Sequence, residues 1–281
     1  MRDITLEELL VAGCHFGHQV NRRNPRADEY IYEARSNIHI IDLEKTRDGL
    51  IAAGDYLKQL ASNGGQVIFV GTKRQAKDIV KDELKRAASE NAPGAFYVTS
   101  RWIGGILTNF PEVSKNFKKL KELREFLSSD KKGDYTKREV ILFERQKDKL
   151  TDLYEGVVDM ARIPDALVII GTQLEATAVR EAISNRVATV GIVDTNADPT
   201  IIDYPIPAND DAVGSIKLIT SYLVDAWIEG SKVKVKNDEE QRIKNEKIKK
   251  EREAAEAKAA EAKLAEAKKE EKAAIARAHS S

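Results

Sequence analysis

Gln66-Val67-Ile68-Phe69-Val70-Gly71-Thr72-Lys73-Arg74-Gln75-Ala76 is the stretch on which the fold turns. An apolar, β-branched run stops at a glycine. A threonine and two cations follow, and a helical pattern then begins. The same shape returns in Leu167-Val168-Ile169-Ile170-Gly171-Thr172-Gln173-Leu174-Glu175-Ala176 and, more weakly, in Val187-Ala188-Thr189-Val190-Gly191-Ile192-Val193-Asp194-Thr195-Asn196. Runs that are apolar at nearly every position read as strands buried on both faces, as in parallel sheets. Such sheets carry their functional loops at the carboxyl ends of the strands.

Working outward from strand 67–70, helix 74–89 turns Ile79, Val80 and Leu84 inward. On the N-terminal side, Leu50, Ala53, Leu57 and Leu60 share one helix face, stopped at Asn63-Gly64-Gly65, with Asp42 or Thr46 as its cap. Thr5 and Glu8 form a capping-box pattern ahead of Leu6, Leu9 and Leu10. Tyr30-Ile31-Tyr32, 39–43 and 95–98 read as short strands. From Pro111 to Tyr154 apolar residues recur at heptad-like spacing among lysines and glutamates, with a polar break at 128–134. That pattern predicts an antiparallel helical hairpin, a coiled coil. Strand and helix then alternate again: strand 166–170, helix 174–185 with Ala178, Val179 and Ile183 inward, strand 187–193, and helix 212–229. The last helix turns Val213, Ile216, Leu218, Ile219, Leu223 and Trp227 inward and ends at Gly230. Residues 231–281 hold 15 Lys/Arg against 11 Asp/Glu and no aromatic residue, so they build no core. The predicted architecture is a parallel-sheet, flavodoxin-like three-layer α/β domain formed by 1–110 and 156–230. It is interrupted by the hairpin at 111–155 and followed by a charged Ala/Lys/Glu-rich tail at 231–281.

Charge alone names no partner, because 46 Lys/Arg balance 46 Asp/Glu over the 281 residues. Cys14 is the single cysteine, which excludes an internal disulfide and fits a reducing compartment. The first residues lack a signal-peptide core, and no run is long enough to cross a membrane. A cytoplasmic protein is expected.

The chemistry on offer is sparse. Gly71-Thr72-Lys73 falls short of the phosphate-loop pattern, and the dinucleotide-binding glycine pattern is absent. Lys73 and Arg74 at a helix start oppose the helix dipole, which a nearby anion relieves. Arg22, Arg23 and Arg26 surround Asn24-Pro25 as a local basic loop suited to phosphate. Cys14, His15 and His18, with only His39 and His279 elsewhere, do not make a convincing four-ligand zinc set. Asp194, Asp198, Asp210 and Asp211 suit zinc or magnesium, although Asp211 also fits a plain helix cap; no other cofactor is implied. Trp102 either stacks on a base or fills the core.

These stretches resemble a known family. The carriers are Gly13-Cys14-His15-Phe16-Gly17-His18, Asn24-Pro25, His39-Ile40-Ile41-Asp42-Leu43-Glu44-Lys45-Thr46 and Phe69-Val70-Gly71-Thr72-Lys73. To them belong Arg101-Trp102-Ile103-Gly104-Gly105-Ile106-Leu107-Thr108-Asn109, Val193-Asp194-Thr195-Asn196 and Ile206-Pro207-Ala208-Asn209-Asp210-Asp211. Together they are similar, from Thr5 to Gly230, to the second protein family of the small ribosomal subunit in its bacterial form. Three positions depart from that pattern: Arg23 replaces a tryptophan, Ala161-Arg162 a glycine pair, and Gly171 an aspartate. The resemblance implies a non-enzymatic structural protein on the ribosome. Its expected partners are small-subunit ribosomal RNA and neighbouring ribosomal proteins, including the large messenger-binding protein. On that reading Arg22, Arg23, Arg26, Lys73, Arg74 and Arg101 contact phosphates, and Trp102 and Asn109 support the joint to the hairpin. The alternative is an α/β nucleotide- or metal-binding enzyme using Lys73 and the aspartates.

Overall fold

The computed structural model describes residues 2–129, 135–239 and 241. Residues 130–134 of the polar break at 128–134, and residues 240 and 242–281 of the tail with His279, lie outside the described residues. Two compact units divide at Val233 and Lys234. The first holds every strand and the hairpin. In the second, residues 234–239 and 241 are helical.

Strands β4 (Val67–Val70), β5 (Ala95–Val98), β6 (Ala166–Ile170), β7 (Ala188–Val193) and β8 (Tyr204–Pro207) form one parallel sheet in the order β5-β4-β6-β7-β8. This is the flavodoxin-like order, with its switch point between β4 and β6. Strand side chains alternate between faces, and the sheet's two cores follow that period. Val67, Phe69, Ala166, Val168 and Ile170 pack with helices α2 (Leu43–Ser62), α3 (Arg74–Ser89) and α7 (213–233). Ile68, Val70, Leu167 and Ile169 pack with α6 (Ala176–Asn185) and with the base of the hairpin, α4 (Phe110–Ser128) and α5 (Lys137–Tyr154). Val113, Phe117, Leu120 and Tyr154 are buried in that second core, so the hairpin's root is part of the domain's packing. Further out, Phe126, Tyr135 and Phe143 meet edge to face with ring centroids 5.1–5.5 Å apart. Ahead of the sheet, α1 (Leu6–Val11) carries the expected capping box. A small antiparallel sheet of β1 (Phe16–Gln19), β2 (Ile31–Arg35) and β3 (Ile38–Ile41) follows in the order β1-β3-β2.

Strand β8 escaped the sequence reading because it contains Pro205 and Pro207. The Ala208 N–H donates to Val193 O at 3.2 Å, which sets the phase. Residues 204, 206 and 208 turn their amides to β7, and the two prolines, lacking N–H, face the open side. Proline is tolerated on an edge strand in that phase and blocks further pairing. The Thr46 hydroxyl donates to Pro207 O at 2.5 Å, which ties α2 to the edge; Asp42, not Thr46, is the α2 cap.

Some inward residues were placed on the wrong face. Leu10, Ile183 and Val213 are exposed by about half, because Leu9, Ala182 and Ile216 hold the buried phase instead. Gly230 does not end its helix. A Cβ there would lie 2.2 Å from Lys58 O and 2.8 Å from Ala61 Cβ, so the glycine serves the close crossing of α7 over α2. Gly-to-Ala inside a helix ordinarily gains up to ~1 kcal/mol. Gly230→Ala is expected instead to lower stability by about 1–3 kcal/mol in urea unfolding, as overpacking does.

Ahead of β6, Arg162 forks onto Asp165 (2.8 and 2.7 Å), and Asp165 accepts Gln66 N–H at 2.7 Å, aligning the starts of β4 and β6. The Arg162 ion pair holds the Asp165 carboxyl below its ordinary range, helped by Gln66. A depressed folded-state pKa contributes stability above the unfolded pKa, and that contribution disappears as pH falls through the folded value. Asp165→Asn is therefore expected to flatten the acid limb of the stability–pH curve below about pH 4, measured by urea midpoints.

Candidate nucleic-acid interface

The Trp-Gly-Gly loop between β5 and α4 is organised by one buried carboxylate. Glu181 on α6 accepts Gly105 N–H at 2.8 Å, Leu107 N–H at 3.1 Å and Thr108 N–H at 3.3 Å. It also accepts the Thr108 hydroxyl at 3.3 Å and Trp102 Nε1–H at 3.2 Å. Five neutral donors disperse the charge of a residue only 8% exposed. Trp102 is half-buried against the second core with its indole N–H engaged. Asn109 is exposed at the start of α4, and its backbone N–H closes the loop on Gly105 O at 2.8 Å. Sequence reading missed Glu181. The signal was there, since a helix phased on Ala178 and Ala182 turns residue 181 inward; choosing Ile183 hid it.

The arginine loop is stapled to the end of β7. Asn24 N–H donates to Thr195 O at 2.8 Å, and its side chain caps the following turn at Arg26 N. Arg26 pairs with Asp198 and Arg23 with Asp28. Arg22, Arg74 and Arg101 are exposed and make no ion pair among the described residues.

Lys73 points inward instead. Its ammonium lies 2.7 Å from Asp210 Oδ1 and 2.8 Å from Asp211 Oδ1. Gly171, at φ +84°, makes the space: a Cβ there would lie 2.8 Å from Lys73 Cε. The four aspartates foreseen as one cluster divide. Asp198 is engaged by Arg26 and caps Thr200, whereas Asp194, Asp210 and Asp211 gather with His18. His18 Nδ1 is 3.0 Å from Asp194 Oδ2, and Nε2 is 3.6 Å from Asp211 Oδ2. Cys14 is buried, and the His15 ring lies against Phe16 at a 40° tilt with ring centroids 3.9 Å apart. Asp211 does not cap α7; in the turn ahead of that helix Asn209 Oδ1 accepts Asp211 N–H and Ala212 N–H at 2.8 and 3.0 Å, and the Asp211 carboxylate faces Lys73. Burial, reinforced by Asp194 and Asp211 and opposed by Lys73, pushes Asp210 up to about 6. Burial works against the Lys73 charge, but Asp210 and Asp211 outweigh it and raise its pKa. The hydrogen bond to Asp194 raises His18.

Fold and site together define a flavodoxin-like α/β protein whose strand ends carry internally paired charge and exposed arginines, with no nucleophile–base pair among the described residues. Residues 9–230 match the family Ribosomal protein S2. The small ribosomal subunit protein uS2 of Fusobacterium nucleatum subsp. nucleatum is 40% identical over 245 residues, covering 86% of this chain and 95% of the relative. That of Acidobacterium capsulatum is 44% identical over 230 residues, covering 82% and 74%. The chain belongs to the ribosomal protein S2 family, of the small ribosomal subunit and translation, and that family is not enzymatic. The enzyme alternative falls with this result.

Glu181→Gln replaces one oxygen by an NH₂ facing donors. We expect a loss of about 1.5–3 kcal/mol, the range for hydrogen bonds to charged groups. It is read as a lower urea midpoint together with faster amide exchange at Gly105, Leu107 and Thr108.

Proposed function

We propose that this protein binds small-subunit ribosomal RNA through the carboxyl edge of its sheet, as a cytoplasmic structural constituent of the ribosome. The observation that carries the reading is the trio of unpaired, exposed arginines: Arg22 on the loop stapled to β7, Arg74 after β4 and Arg101 after β5. Arg23 and Arg26 stand beside them with exchangeable surface partners, whereas Lys73 is committed to Asp210 and Asp211. Trp102 and Asn109 hold the loop that presents Arg101.

The chain also helps dock neighbouring small-subunit proteins, including the large messenger-binding protein. A groove of about 640 Å³ between α1 and α7 supports this, with Val11 83% exposed at its rim. Among the described residues no helix is long and apolar enough to cross a membrane.

RNA affinity falls with salt in proportion to the phosphates neutralised, each contributing about 0.7–0.9 to the log–log slope. Changing Arg22, Arg74 and Arg101 together to Ala should flatten the slope for small-subunit RNA by about 2–3. Lys73→Ala should leave it nearly unchanged. An unaltered slope in the triple variant would remove these arginines from the interface.

A further inference from the structure

We infer that a cleft at the amino ends of β7 and β8 is a docking site for an extended peptide segment of a neighbouring protein, one that carries an acidic side chain beside an aliphatic one. The cleft has a volume of about 580 Å³ and is lined by Tyr56 of α2, by Ile183 and Arg186 at the end of α6, and by Ile201, Asp203 and Tyr204. It lies at the end of the sheet away from Arg74 and Arg101 and shares no lining residue with the groove between α1 and α7. It therefore stands independently of the RNA-binding reading.

Arg186 is the anchor. It sits at φ +55°, ψ +37°, in the left-handed turn that closes α6, where its backbone N–H meets Ala182 O and Ile183 O. Glycine fits such a position without steric cost, and arginine does not. A cation at the carboxyl end of a helix gains from the dipole, but inside the last turn it would do so without the left-handed backbone. The side chain is exposed and makes no ion pair among the described residues, although Asp203 lines the same cleft. Asp203 turns Oδ2 to Thr189, accepting its N–H at 2.8 Å and its hydroxyl at 2.9 Å, and Oδ1 accepts nothing among the described residues. The cleft thus offers a free cation and a free acceptor that do not satisfy each other.

The rest of the lining selects the occupant. Ile183 and Ile201 are 52% and 42% exposed. Tyr56 and Tyr204 stack into one wall, with ring centroids 4.4 Å apart and planes at 20°. Tyrosine and arginine around an apolar pocket are the usual anchors of a protein interface. A carboxylate side chain takes the planar fork of Arg186 in two parallel hydrogen bonds. The aliphatic side chain beside it covers the isoleucines, and a peptide N–H donates to Asp203 Oδ1. A nucleic acid is the poorer occupant, because its successive phosphates would meet a single cation and the Asp203 carboxylate.

The test uses the full chain, with isoleucine methyl signals read by nuclear magnetic resonance. The probe is acetyl-leucyl-glutamyl-leucine amide, with its lysyl counterpart as control. The glutamyl peptide should shift the Ile183 and Ile201 methyls saturably. The lysyl peptide should bind at least about 10-fold more weakly, as loss of a charge-assisted hydrogen bond requires. Arg186→Gly should weaken the glutamyl peptide by about the same factor, while its urea midpoint stays at or above that of the parent chain because glycine suits the left-handed turn. Arg186→Lys, which cannot fork, should fall between the two. The inference is overturned by no saturable shift at millimolar peptide, by equal affinity for the lysyl peptide, by parental affinity in Arg186→Gly, or by a single-stranded RNA oligonucleotide that moves the same methyls at lower concentration.

Discussion

Burial of both faces of β4 and β6 is the constraint on which the rest of the structure depends. Every residue of these strands faces one core or the other, so none can carry a charge without losing several kcal/mol of hydration. The polar groups are driven to the strand ends. There the repeated glycine-threonine finds its purpose. The Thr72 hydroxyl donates to Glu175 in the loop after β6, and the Thr172 hydroxyl donates to Ile192 O of β7 at 3.4 Å. Each threonine ties its strand end to the next strand over. A motif that reads like half of a phosphate loop is thus a lateral fastening, repeated because the βα unit is repeated.

Two buried carboxylates show how differently a charge can be accommodated under that constraint. Glu181 is met by five neutral donors and needs no cation; its role is to hold the loop from 102 to 108 in one conformation. Asp210 is met by charges. Three carboxylates face one ammonium and one imidazole, and burial, reinforced by Asp194 and Asp211, shifts Asp210 upward against the pull of Lys73. The first arrangement is complete by itself. The second is balanced only by long side chains drawn from elsewhere in the fold.

What the sequence disclosed follows the range of the forces involved. Strands 67–70, 95–98 and 166–170 and helix 74–89 agree with the structure residue for residue, because apolar runs and caps are local signals. Strand β8 stayed hidden because prolines suppress the local signal, while their phase on an edge is a tertiary matter. Gly230 was misread for the same reason: a helix crossing and a helix end both call for glycine, and only Lys58 O distinguishes them. The charge pairs were least legible. Arg26 finds Asp198 across 172 positions and Lys73 finds Asp211 across 138, separations that no periodicity reports.

Those long-range pairs also explain how a chain with equal numbers of acids and bases presents a positive edge. At 2.7 Å and an effective dielectric near 20, the Lys73–Asp210 attraction is about 6 kcal/mol before desolvation, and Asp211 adds to it. A phosphate at the surface cannot compete for that ammonium. Arg26 is different: its side chain is 62% exposed, and surface pairs are worth at most about 1 kcal/mol, so exchange of Asp198 for a phosphate is nearly free. Acids such as Asp210 are neutralised from within and no longer oppose an approaching polyanion. Zero net charge over 281 residues is therefore compatible with RNA binding, since Asp194 and Asp210 are engaged beneath the surface while Arg22, Arg74 and Arg101 remain exposed.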